Sequence, residues 1–171
     1  MFKLPLMGIV FLLGGCTFLS EINSIVQPLP KVTPIVSPNN SNLAQLELSV
    51  YQQVNDYRAS KNLPPLKLDP QISEKCRIHS QAMANGQVPF GHGGSKARFQ
   101  AVRQVVRWQE IAENVAFNSG YADPGKEAVQ GWIESPSHQR NIVGKYDLTG
   151  MGIVRNAKGE YYFTQIFVRK R

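Results

Sequence analysis

The sequence predicts one α+β domain, helices packed in layers around a small antiparallel sheet, set behind an export signal and a tether. Three observations carry this expectation. Apolar residues recur at helical spacing from Leu43 to Tyr57, from Ile72 to Met83 and from Ala128 to Ile133. Two Asp-Pro pairs, Asp69-Pro70 and Asp123-Pro124, stand in front of the second and third of these stretches. The C-terminal part reads as two apolar strands joined by a turn. Helices with one apolar stripe and strands apolar on both faces bury their surfaces best as layers.

Bulk properties set the frame. A chain of 171 residues holds one ordinary domain plus additional segments. Hydrophobic residues make up 42%, enough for a packed core and too many for wholesale disorder. The formal charge of +7 favours anionic neighbours such as acidic lipid or acidic envelope polymers. Nucleic acid is not expected, because the basic excess lacks interleaved aromatic residues and the chain carries an export signal.

At the N-terminus Lys3 precedes an apolar run from Leu4 to Leu13 and the small residues Gly14-Gly15, the layout of a secretory signal over 1–15. About ten apolar residues are too few to span a bilayer, which needs about twenty. Leu13-Gly14-Gly15-Cys16 resembles a bacterial lipobox, which implies cleavage before Cys16, acylation of its sulfur and a membrane partner through that anchor. Thr17, in place of an aspartate, resembles lipoproteins passed to an outer membrane. The segment 16–42 carries Pro28, Pro30, Pro34 and Pro38 among polar residues and reads as a tether. The folded domain is expected over 43–171. Its single remaining thiol, Cys76, allows no internal disulfide.

Within the domain, Leu43, Leu46, Val50, Val54 and Tyr57 form one helical face, with Ser41 or Asn42 as its cap. Asp69 caps a second helix striped by Ile72, Cys76, His79 and Met83 and closed by Asn85-Gly86. A Gly-rich passage, Phe90 to Gly94, and a basic stretch through Lys96, Arg98, Arg103 and Arg107 follow; this stretch and the Arg169–Arg171 tail read as a solvated face. Asp123-Pro124 opens a further helix that carries Trp132 and breaks at Ser135-Pro136. Met151 and Ile153 mark one strand, Asn156 to Gly159 a turn, and Tyr161 to Val168 the last strand.

Of three histidines, His92 and His138 lie in glycine-, serine- and proline-rich contexts where scaffold-supported loops carry chemistry. Imidazole serves as metal ligand or as acid and base near neutral pH, and Glu113 and Glu134 are the nearest carboxylates. His79 shares the second helix's apolar stripe and is expected to pack with a hydrogen bond. Trp132 is expected in the core, Trp108 in the core or the cleft wall. No H-E-x-x-H, paired C-x-x-C or nucleophile elbow occurs.

The segments Ala112-Glu113-Asn114-Val115-Ala116 and Gly131-Trp132-Ile133-Glu134-Ser135-Pro136-Ser137-His138, with Phe90-Gly91-His92 and Gly150-Met151-Gly152-Ile153, resemble the bacterial form of the CAP superfamily domain. That superfamily joins cysteine-rich secretory proteins, antigen 5 and pathogenesis-related 1 proteins. The resemblance runs from about Leu43 to Val168. It implies an α-β-α sandwich, a small central antiparallel sheet flanked by helices, with a surface cleft lined by two histidines and two acidic residues, the histidines able to hold a divalent metal such as zinc weakly. His92, Glu113 and His138 match three of these positions. The fourth lies in many relatives at Ser135 here, and Glu134 is one residue earlier, a rotation of about 100° on a helix. Two functions follow as expectations. The first is an envelope-anchored binding module for a lipid, peptide or cell-envelope polymer. The second is a metal-assisted hydrolase of peptidase type, with Glu113 as the candidate catalytic base beside His92 and His138. The missing activated nucleophile and the meagre ligand set favour the first.

Overall fold

The last strand explains the architecture. Phe163 to Val168 are all buried, so this strand, β4 (Tyr161–Lys170), needs cover on both faces. It lies inside a four-stranded sheet in the order β1-β3-β4-β2. Its neighbours are β3 (Leu148–Arg155) and β2 (Trp108–Asn118), both antiparallel to it. The β3–β4 turn is tied by Asn156, whose Oδ1 accepts the N–H groups of Lys158 and Glu160. The expected antiparallel sheet has one exception: the two-residue strand β1 (Lys67–Leu68) joins β3 in parallel. A strand of two residues is too short to show any period.

This computed structural model describes residues 38–171, with side chains from residue 42 onward. The expected signal, Cys16 and most of the tether lie outside the described residues. Helix α1 (Pro38–Ser60) begins inside the stretch read as tether, so Ser41 and Asn42 belong to the helix rather than capping it. Proline is at home in a first helical turn, where its missing N–H costs nothing, and composition alone hides such a start. Helix α2 (Pro70–Ala84) is capped as expected: Asp69 Oδ1 accepts the N–H groups of Gln71 at 2.8 Å and Ile72 at 3.0 Å. The basic stretch forms a further helix, α3 (Ser95–Arg103). Asp123 caps α4 (Pro124–Glu134), and Pro136 starts a separate short helix, α5 (Pro136–Ile142), where only a break was expected. None of the described helices is long and apolar enough to cross a membrane.

Alternation along β4 divides the core. Phe163 and Phe167 face Val50 and Val54 of α1, Trp132 of α4 and Ile142 of α5. Ile166 and Val168 face Ile72 and Cys76 of α2 and Val102 of α3. Helix α2 lies down on the sheet itself. A Cβ at Gly152 would stand 2.2 Å from the Arg77 nitrogen, and one at Gly150 2.5 Å from the Ile72 carbonyl carbon. Only glycine permits that approach. Where β1 ends, β3 would be a bare edge, but Met151 N–H donates to Ser73 Oγ and Ile153 N–H to Glu47 Oε1. The outer edge of β2 is the other border of the sheet, and it carries the site.

Candidate functional site

Successive side chains of a strand point to opposite faces, and β2 uses this at Glu113 and Asn114. Glu113, opposite Ile166 in register, faces the α2–α3 layer; Asn114, opposite Gln165, faces α5. The Glu113 side chain is 2% exposed. Its Oε2 accepts from Arg98 Nε at 2.5 Å, and its Oε1 from Arg98 Nη2 at 2.8 Å and from His92 Nδ1 at 3.0 Å. Two parallel N–H···O bonds from one guanidinium fix the carboxylate plane. Arg98, expected on a solvated face, is therefore a site residue. A buried Glu113 needs such a partner, but α3, which supplies it, has no strong sequence signal.

The loop that carries His92 is held from below. His79 Nε2 donates to the Gly91 carbonyl at 2.9 Å, and Arg98 Nη1 reaches the Gly93 carbonyl at 3.3 Å. His79 thus packs with a hydrogen bond, as expected of a histidine on an apolar stripe. Gly91, with φ of 129°, takes a backbone conformation that a side chain would strain. Because Nδ1 of His92 donates to Glu113, its Nε2 is left for solvent or a ligand, and the ring is half exposed.

On the opposite face, Asn114 anchors α5. Its Nδ2 donates to the His138 carbonyl at 3.2 Å and its Oδ1 accepts from Asn141 Nδ2 at 2.8 Å; the same Asn141 amide reaches the Glu113 carbonyl at 3.2 Å. One residue pair on an edge strand therefore orients the two histidine carriers, Glu113 the loop and Asn114 the helix. The rings of His92 and His138 stand 6.2 Å apart, centroid to centroid. Burial, and to a smaller degree the nearby His92, pulls the His138 pKa below the ordinary imidazole value.

Glu134 does not join this cluster. Its side chain is exposed and accepts from Gln130 Nε2 at 2.6 Å on its own helix, while Ser135 faces the cleft. The rotation of one residue separates the two. Trp132 is in the core, its Nε1 donating to the Val115 carbonyl. Trp108 is remote from the cleft, at the other end of β2. Cys76 is fully buried, and burial pushes its thiol pKa far up, as for a packing residue rather than a nucleophile.

Beyond His138 a groove of about 540 Å³ follows the β2 edge, with Val115 to Ser119 along one wall and Glu127, Gly131 and Ser135 along the other. Phe117, 46% exposed, stacks between Phe90 at 6.1 Å and Tyr162 at 5.0 Å, so an aromatic shelf borders the groove. Among the described residues no three His, Cys, Asp or Glu side chains gather as a metal cage.

An α-β-α sandwich with two imidazoles, a buried carboxylate and an open groove along one sheet edge defines the class: a cleft-bearing CAP-like domain. The chain belongs to the Cysteine-rich secretory protein family (CAP), whose sequence profile matches residues 51–167. It is 30% identical over 129 residues to the uncharacterized membrane protein YlbC of Bacillus subtilis (strain 168), covering 72% of this chain and 34% of that protein. It is 27% identical over 134 residues to YkwD of the same organism, covering 76% of this chain and 49% of that one. The chain thus spans between a third and a half of these curated relatives. Among solved structures, an extracellular protein containing a SCP domain from Bacillus anthracis superposes with a TM-score of 0.65 at 27% identity, over 81% of this chain and 45% of that one. An outer surface protein of Borrelia burgdorferi gives a TM-score of 0.65 at 15% identity, over 74% of this chain and 94% of that one, a likeness of fold alone.

Proposed function

We propose that the chain is an exported, envelope-held binding module whose groove takes a segment of peptide in extended form. A membrane relative, an extracellular one, the signal pattern over 1–15 and the lipobox-like Leu13–Cys16 support the location and the anchor. Of the three ligand classes expected from the sequence, lipid, peptide and envelope polymer, the β2 edge favours peptide. The carbonyls of Glu113 and Val115 accept side-chain donors from α5 and α4, so these residues turn their backbone groups away from β4. By the two-residue period Phe117 turns its N–H and C=O the same way, into the groove. That pairing is what an added strand uses, and a lipid tail has nothing to offer it. Side chains of the added segment would alternate between the Phe90–Phe117 shelf and the space above Gly131. Asn118 lines the groove with a buried Oδ1 that has no partner among the described residues. Glu127 is the one carboxylate of the lining, which suits a basic residue in the ligand.

The single observation that carries the binding reading is the state of Glu113. Both of its oxygens are occupied and a guanidinium compensates its charge, so it is poorly placed to take a proton from water. The hydrolase alternative therefore loses Glu113, the base assigned to it.

The donor set fits a weakly held divalent ion. His92 Nε2 and a ring nitrogen of His138 would hold it, and Glu113 orients the His92 ring as carboxylates do behind metal-bound imidazoles. Such an ion would polarise a ligand carbonyl or carboxylate. Calorimetry with zinc on the full chain should give a heat that the His92→Ala/His138→Ala double variant loses; no heat in either removes the metal.

The groove is tested with fluorescent extended peptides carrying alternate apolar residues and one lysine. Gly131→Trp projects into the groove and meets no atom within 4 Å at its Cβ. Saturable binding that this variant abolishes supports the reading. Absent binding, or binding indifferent to the tryptophan, contradicts it.

A further inference from the structure

At the other end of β2 from the groove lies a pocket of about 220 Å³, lined by Arg103, Arg107, Trp108 and Arg171. Its three arginines come from separate parts of the sequence: the last turn of α3, the loop behind it and residue 171. They are brought together by specific contacts. The Arg103 guanidinium stacks 4.2 Å from the Trp108 ring centroid, and the Arg171 N–H donates to the Arg107 carbonyl at 3.2 Å. Among the described residues none of the three has a carboxylate partner, and the nearby Glu110 is taken by Arg169 at 2.9 Å. Trp108 adds a buried Nε1–H with no acceptor among the described residues.

Like charges that converge with no carboxylate side chain paired to them repel each other. One bound anion would relieve that repulsion. We propose that this pocket is a binding site for a phosphate group, separate from the groove and independent of what the groove binds. The donors decide the class. Three arginines line the space, and guanidinium forks in that number satisfy the several oxygens of a tetrahedral phosphate better than the two of a planar carboxylate. The phosphate belongs either to a lipid headgroup or to a soluble phosphate compound, since the chemistry is common to both.

The pocket contains its own reporter. In the full chain, titration with inorganic phosphate should change the indole emission saturably, and Trp108→Phe should remove that change while Trp132 still emits. Arg107→Gln leaves the Arg103–Trp108 stack in place and should weaken phosphate by about tenfold, the loss of one charge-assisted hydrogen-bonding partner; Arg103→Gln/Arg107→Gln should weaken it further. Vesicles of phosphatidylglycerol, compared with phosphatidylcholine, separate the sources. A Trp108 response to the anionic vesicles that the double variant lacks assigns the site to headgroups. A response to inorganic phosphate with none to either vesicle assigns it to soluble phosphate. No saturable change with any probe, or a change indifferent to both arginine substitutions, overturns the proposal.

Discussion

The two faces of the sheet treat their helices differently. On one face α2 rests directly on β3, so closely that Gly150 and Gly152 leave no room for a methyl group, and the neighbouring corner is closed by the Arg98–Glu113–His92 cluster. On the other face α4 meets the β2 edge through Trp132, whose Nε1 donates to the Val115 carbonyl, and the groove opens beside that contact: a Cβ at Gly131 would meet nothing within 4 Å, and Phe117 is nearly half exposed. Glycine serves contact in the first case and leaves space in the second. The closed side holds His92 through Glu113, Asn114 anchors the helix of His138 from the other face, and the open side leaves the groove.

The comparison can be broken most severely at Glu113. Glu113→Ala leaves Arg98, a largely buried guanidinium, without its partner, and chemical denaturation should show a loss of about 3 kcal/mol. Gly152→Ala drives a methyl group into the α2 backbone, and the same measurement should show about 2 kcal/mol lost. Acid should act on both faces. Burial is the main cause that holds both His79 and His138 below the ordinary imidazole pKa, so the unfolded chain binds more protons than the native one as pH falls past about 6.5. Their contribution to stability is intact above that pH and lost below it, and the loss levels off once pH is under the native values. Thermal unfolding followed from pH 8 downward, with His79→Gln as the flattened control, reads this directly. The smallest effect has the opposite sign. Gly131→Ala lies in a helix with open space around it and should stabilise by about 0.7 kcal/mol. A destabilised Gly131→Ala would mean that α4 is packed as tightly as α2.

Much of the helical frame was legible in the sequence. Asp-Pro pairs announced α2 and α4 because capping is local chemistry, and the stripe from Ile72 to Met83 announced the buried face. The segments around His92, Glu113 and His138 pointed to a shared site, although nothing local dictates that a loop and a short helix meet across a strand. What stayed hidden depends on distant partners. Arg98 looked like any basic surface residue until α3 carried it against Glu113. Arg58, almost fully buried, spends its guanidinium on the carbonyls of Pro64, Ile142 and Gly144, and no pattern in α1 marks it. Glu134 and Ser135 were separable by helical geometry alone, and the side chains divide as that geometry requires.

The central claim is that a peptide lies along the β2 edge. Amide hydrogen exchange on the full chain, resolved for residues 115–118 with and without saturating peptide, tests it most directly. Slower exchange at Phe117, with little change at Gly150 to Ile153, is the predicted result. Peptide bound with the exchange of Phe117 unaltered would contradict it.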